Sequence, residues 1–156
     1  MKKIYLSALF AVTGALVSLS THATLTQTLL AVSDTDQLVN AAVAKANALN
    51  AKVCVAVVDQ GGQLLAFKRM DNAPIGCIDA SILKGRAAAL YRTPTDKYME
   101  RANGKEPAIA TLPGLVPLGG GSPVKYQNTV IGAVGVSGSA NPNEIAIAKA
   151  AADSFH

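Results

Sequence analysis

VCVAVVDQGGQLLAFKRM, Val53 to Met70, and PVKYQNTVIGAVGVS, Pro123 to Ser137, each read as two β-strands joined by a tight turn. In the first, Gly61-Gly62 supplies the positive φ that a short hairpin needs, and β-branched and apolar residues flank it. In the second, Gln127-Asn128 separates Val124-Lys125-Tyr126 from Thr129-Val130-Ile131. Val53 to Val58 is almost wholly apolar, which predicts a strand covered on both faces.

Helical patterns surround the hairpins. Leu38, Ala41, Ala42, Lys45 and Leu49 recur at three- and four-residue spacing after a cap at Ser33 or Asp34, and Asn50 offers a stop. Before this helix, Thr24 to Ser33 reads as a mobile or docking arm. Pro74 and the run Ile78 to Leu90 mark a second helix, with Asp79, Lys84 and Arg86 as candidates for a shared face. Thr93 is the expected cap of a third, with Pro94 in its first turn and Gly104 as its stop. Pro107 to Pro123 is rich in proline and glycine yet apolar, which predicts a packed loop. A last helix is expected from a cap at Asn141, with Ile145, Ala148, Ala152 and Phe155 on one face. The order α-ββ-αα-loop-ββ-α predicts an α+β fold, an antiparallel sheet built from two hairpins with flanking helices.

At the amino end, Lys2 and Lys3 precede an apolar run from Ile4 to Val17, followed by small residues up to Ala23. This is the pattern of a secretory signal peptide over residues 1–23; the apolar run is short of the ~20 residues a bilayer span needs. The expected mature chain, Thr24 to His156, fits one domain and belongs in a periplasmic or secreted setting, with no membrane association after cleavage. Without Lys2 and Lys3 the formal charge falls from +4 to +2, and no basic stripe points to nucleic acid. Cys54 and Cys77 either form a disulfide or serve as small core residues.

Catalytic constellations are scarce. The mature chain has one histidine, His156, at its very end, which disfavours a Ser/His/Asp triad, a zinc centre or a Cys/His pair. Gly119-Gly120-Gly121-Ser122 offers backbone N–H groups to an anion or makes a tight connection, but the Gly-Lys-Ser/Thr of a phosphate-binding loop is missing. Arg69 is suited to pairing a carboxylate or propionate. Asp71 and Asn72 read as caps, and Met70 as gap filler or a soft ligand. Lys84 lies amid apolar residues, where burial would disfavour its charge.

Several blocks in order, AVVDQGGQLLAFKRMDNAPIGCIDASILKGRAAAL, TPT, LPGLVPLGGGSPV and VIGAVGVSGS, closely resemble the GlcG/HbpS-like family, the haem-degrading or haem-binding family that includes the C-terminal domain of PduO-type proteins. The resemblance implies a profilin-like fold, homo-oligomers and, in several members, binding of haem or a related tetrapyrrole with slow haem breakdown or a sensing role. It places Arg69, Met70, Lys84, Gly119, Gly120 and Ser137 on shared positions and, with Gly121 of the glycine loop, makes them the candidate ligand-binding set. Lys84-Gly85-Arg86-Ala87-Ala88 departs from the family's more usual Lys-Ala-Arg-Thr-Ala, losing a hydroxyl at Ala87. Met70, Tyr91, Tyr98 and Lys84 remain as weak candidates for iron ligation.

The expectation is therefore an exported, homo-oligomeric protein binding haem as its cofactor or ligand. An enzyme acting on a small anionic oxygenated metabolite, held by Lys84 and Arg69 beside the glycine loop, is the alternative. A partner-binding domain without a small ligand is the third reading.

Overall fold

Residues 25–155 are described by a computed structural model, so the signal-peptide reading of residues 1–23 and His156 lie outside the described residues. The elements run α1 (Val32–Ala48), β1 (Cys54–Asp59), β2 (Leu64–Arg69), α2 (Cys77–Leu90), α3 (Thr95–Ala102), a 3₁₀ turn (Pro107–Thr111), β3 (Gly121–Tyr126), β4 (Thr129–Ser137) and α4 (Asn141–Asp153). This is the expected α+β fold. The sheet order is β2-β1-β4-β3, every pairing is antiparallel, and the two hairpins join through β1 and β4.

Both turns form as the residue chemistry dictates. Gly62 has φ 78°, while the Asp59 carboxylate accepts the Gln63 N–H at 2.8 Å. Gln127 and Asn128 both take positive φ, 47° and 65°, the geometry that matches a two-residue turn to the twist of its strands.

Alternation along β1 splits the interior. Val53, Val55 and Val57 join Val134 and Val136 in the main core with Leu38, Ala42, Ile147 and Ala151 of α1 and α4. Cys54 and Val58 face the other way, into clusters with Cys77 and Ala88 of α2. Helices thus cover both sheet faces, and each fully buried valine contributes about 1.5–3 kcal/mol. Alpha2 approaches so closely that a Cβ on Gly135 would collide with the Ser81 carbonyl oxygen and the Gly85 amide. Gly85 itself would bring a Cβ to 3.2 Å from the Gly135 nitrogen. Cys54 and Cys77 are bridged, with Cα atoms 5.5 Å apart, which ties β1 to the first residue of α2.

Boundaries shift where backbone geometry outweighs cap preference. Alpha1 starts at Val32 with Ala31 as N-cap, so the expected arm loses its last two residues to the helix. Asp34 bonds back to the Ala31 N–H at 2.8 Å instead of capping. Asn50, with φ 49°, ends the helix as expected: the Asn50 and Ala51 amides return to the carbonyls of Asn47 and Ala46. Pro94 is the N-cap of α3, and the Thr93 hydroxyl turns to the Tyr91 carbonyl. Ala140 is the N-cap of α4, leaving Asn141 inside the helix. The expected packed loop is largely exposed over residues 106–114 and already becomes strand at Gly121. Asp79 and Arg86 are exposed whereas Lys84 is buried, so the three do not share a face.

Candidate functional site

Lys84 points from α2 across the end of the sheet to Glu144 of α4, Nζ to carboxylate oxygen 2.7 Å, with the two side chains 3% and 6% exposed. A buried ion pair persists only if its remaining polar capacity is filled. Here Glu144 accepts from the backbone N–H groups of Gly138 (2.7 Å) and Ser139 (3.1 Å) and from the Asn141 amide (3.3 Å). Lys84 donates also to the Val136 carbonyl at 3.4 Å. In this structure the Lys84 ammonium is paired with Glu144 beneath the surface.

The glycine run lies over this pair. Gly120 has φ 118°, and a Cβ there would stand 2.6 Å from the Val136 carbonyl and 3.4 Å from the Lys84 side chain. Its carbonyl accepts the Val136 N–H at 2.8 Å, and the Gly119 carbonyl accepts from Asn141 at 2.9 Å. A Cβ on Gly119 would meet Ile145 at 2.5 Å. The Gly121 amide donates to the Thr95 hydroxyl at 2.9 Å, which in turn donates to the Leu118 carbonyl. These amides and carbonyls are thus engaged in holding the segment against α2, α3 and α4.

Beside it opens a cleft of about 530 Å³, between the start of α3, the edge strand β3 and the last turns of α4. That volume lies in the ~300–1,000 Å³ range of small-molecule sites. Pro94, Pro123, Ile145, Ala152 and Phe155 give it apolar surface, while Lys97, Lys125 and Lys149 bring three ammonium groups against the two carboxylates of Asp96 and Asp153. Lys149 pairs with Asp153, and Lys97 with Glu100 at 3.0 Å. The Glu100 hydrogen bond and charge hold the Lys97 ammonium proton more tightly than usual. Lys125 has no carboxylate partner among the described residues.

Of the candidate set, Gly120 and Gly121 line the cleft, Gly119 packs behind it and Lys84 lies below. Ser137, nine-tenths buried, ends β4 in the same cross-strand row as Cys54 and Arg69. Arg69 is exposed at the end of edge strand β2, and its guanidinium closes the following turn by donating twice to the Ala73 carbonyl, at 3.0 and 2.6 Å. Met70 packs against the core beneath α1 and α4. Tyr91 donates to the Pro113 carbonyl, and Tyr98 is buried edge-on against Tyr91. None of the weak candidates for iron ligation reaches the cleft. Among the described residues no group of three or more His, Cys, Asp or Glu is gathered to hold a metal ion. No described helix is long and apolar enough to cross a membrane.

Glu144, the three lysines and Phe155 are the site residues that sequence reasoning missed. An unpaired lysine in an apolar helix does call for a partner, but Glu144 lies 60 positions away and reads locally as a helix-start acid.

A family model described as "Haem degrading protein HbpS-like" matches residues 30–153. Over 89 residues the chain is 48% identical to protein GlcG of Escherichia coli K12, covering 56% of this chain and 66% of GlcG. Among solved structures, a double mutant of HbpS from Streptomyces reticuli superposes with a TM-score of 0.79 at 26% identity, covering 92% of this chain and 99% of that one. A PduOC–haem complex superposes with a TM-score of 0.73 at 26% identity, covering 83% and 96%.

Proposed function

The chain belongs to the HbpS-like family, and from that premise we propose that it is an exported protein that binds haem or a related tetrapyrrole in the cleft between α3, β3 and α4. The observation that carries this is the cleft's composition: apolar surface from Ile145, Ala152 and Phe155 beside Lys97, Lys125 and Lys149. A tetrapyrrole is a broad apolar disc with carboxylates on its rim. The apolar residues would receive the disc, and the lysines, Lys125 foremost, would pair with the carboxylates. The haem named in the PduOC complex supports the same ligand class.

Export is supported by the leader-like residues 1–23 and by the Cys54–Cys77 bridge, since disulfides persist in oxidising compartments. Self-association is supported by edge strand β2, where Leu64, Leu65 and Phe67 are all exposed. A second copy pairing along β2 would cover them and satisfy the strand's free backbone groups. Sedimentation of the purified protein tests this: a monomer at all concentrations would exclude it.

Haem titration followed in the Soret band tests the binding. Saturable binding is expected, weakened by Phe155→Ser and by Lys125→Glu. Binding no stronger than to an unrelated protein, or untouched by both substitutions, would overturn the proposal.

A further inference from the structure

We infer that the cleft selects the macrocycle and its carboxylates and not the iron, so that iron-free tetrapyrrole dicarboxylates are ligands on equal terms with haem. This rests on the tetrapyrrole reading above and goes beyond it by naming what the site recognises.

Strong axial ligands to haem iron are histidine, thiolate, methionine and tyrosinate. Among the described residues there is no histidine, and both cysteines are consumed in the disulfide. Met70 is partly buried against the main core, and neither it nor Met99 lines the cleft. The Tyr91 hydroxyl is given to the Pro113 carbonyl, Tyr98 is buried, and Tyr126 does not line the cleft either. Of the described residues facing a ligand, none offers a free histidine, thiolate, methionine or tyrosinate. Protonated lysines have no lone pair to donate, and Lys97 is held more firmly protonated by Glu100. The Asp153 carboxylate is engaged by Lys149, and Asp96 lies 3.9 Å from the Lys97 ammonium. Ser122 offers only a neutral hydroxyl.

From the described residues, binding energy at this site comes from burying the ring against Ile145, Ala152 and Phe155 and from pairing ring carboxylates with Lys97, Lys125 and Lys149. An iron-free porphyrin presents the same ring area and the same carboxylates.

The test is parallel titration of the purified protein with haem, iron-free protoporphyrin IX and its dimethyl ester, the last two in the same detergent, read by Soret absorbance and porphyrin fluorescence anisotropy. Haem and the iron-free porphyrin are expected to bind within about threefold of each other, a difference under ~1 kcal/mol. The ester, with no carboxylates to pair, should bind about tenfold or more weakly, as should both acids to a Lys97→Gln/Lys125→Gln/Lys149→Gln variant. His156→Ala should leave haem and iron-free affinities alike unchanged.

Haem binding with the iron-free porphyrin ~30-fold or more weaker would overturn the inference while leaving the tetrapyrrole reading intact. So would a loss confined to haem in His156→Ala. Failure of every porphyrin to bind would overturn the tetrapyrrole reading itself, and the inference with it.

Discussion

Lys84 and Glu144, 60 positions apart in the chain, meet at 2.7 Å with both side chains sealed from solvent, and their ion pair bolts α2 to α4 beneath the glycine run that borders the cleft. Removing one partner of a buried pair leaves the other charge uncompensated, which costs about 3–5 kcal/mol. Lys84→Met is expected to fall in that range by urea denaturation. Glu144→Leu should be at least as damaging, because it also orphans the Gly138 and Ser139 amides. Near-wild-type stability in either variant would contradict the structural role given to the pair.

Gly135 meets α2 backbone to backbone. A methyl group there has nowhere to go, since the obstacles are the Ser81 carbonyl and the Gly85 amide and not a flexible side-chain tip. Gly135→Ala is expected to cost more than about 3 kcal/mol or to prevent folding, at the upper end of what overpacking does. Gly76→Ala, with nothing within 4 Å of the added Cβ, is the matched control and should be nearly silent in thermal melts.

The Cys54–Cys77 bridge closes a loop of sequence separation 23 containing the whole of β2. Loop-closure entropy for that length corresponds to about 3–4 kcal/mol. Reduction, or Cys54→Ala/Cys77→Ala, should lower the denaturation midpoint by a matching amount, and an unchanged midpoint would show that the bridge does not hold in solution.

Arg101 lies against Glu106 at 2.6 Å, and its hydrogen bond and charge hold the Glu106 carboxyl below the usual carboxylate range. A depressed folded-state value means that the pair helps stability above the ordinary glutamate titration and loses that contribution as pH falls through the depressed value. Both groups are solvent-exposed, so the effect on stability is small. It is best read by NMR titration of the Glu106 side chain, which should shift its midpoint upward in Arg101→Ala.

How much of this was legible in the chain depended on the range of the interaction. The hairpins were, because Gly62 and Gln127-Asn128 state their turn geometry locally. So was the end of α1 at Asn50. Caps were less so: Thr93 and Asn141 have the right chemistry for the N-cap, but Pro94 and Ala140 take those positions, and both side chains bond elsewhere. Strand β3 was read too short because Gly121-Ser122-Pro123 resembles a loop until it pairs with β4. Of the cleft, only the glycine run at Gly120 and Gly121 was singled out in the chain. The cleft walls come from residues 94–97, 120–125 and 145–155, three segments that no spacing rule connects. Arg69 and Met70, singled out beside a strand-to-helix connection, lie away from the cleft, where Arg69 donates to the Ala73 carbonyl and Met70 packs against the core.

The central claim, that the cleft between α3, β3 and α4 is where a tetrapyrrole binds, is tested most directly by amide NMR of the labelled protein with diamagnetic gallium protoporphyrin. Shifts concentrated at Gly120, Gly121, Lys125, Ile145, Ala152 and Phe155 are predicted. Shifts that instead gather around Leu65, Phe67 and Arg69 on β2, leaving the cleft residues unmoved, would contradict it.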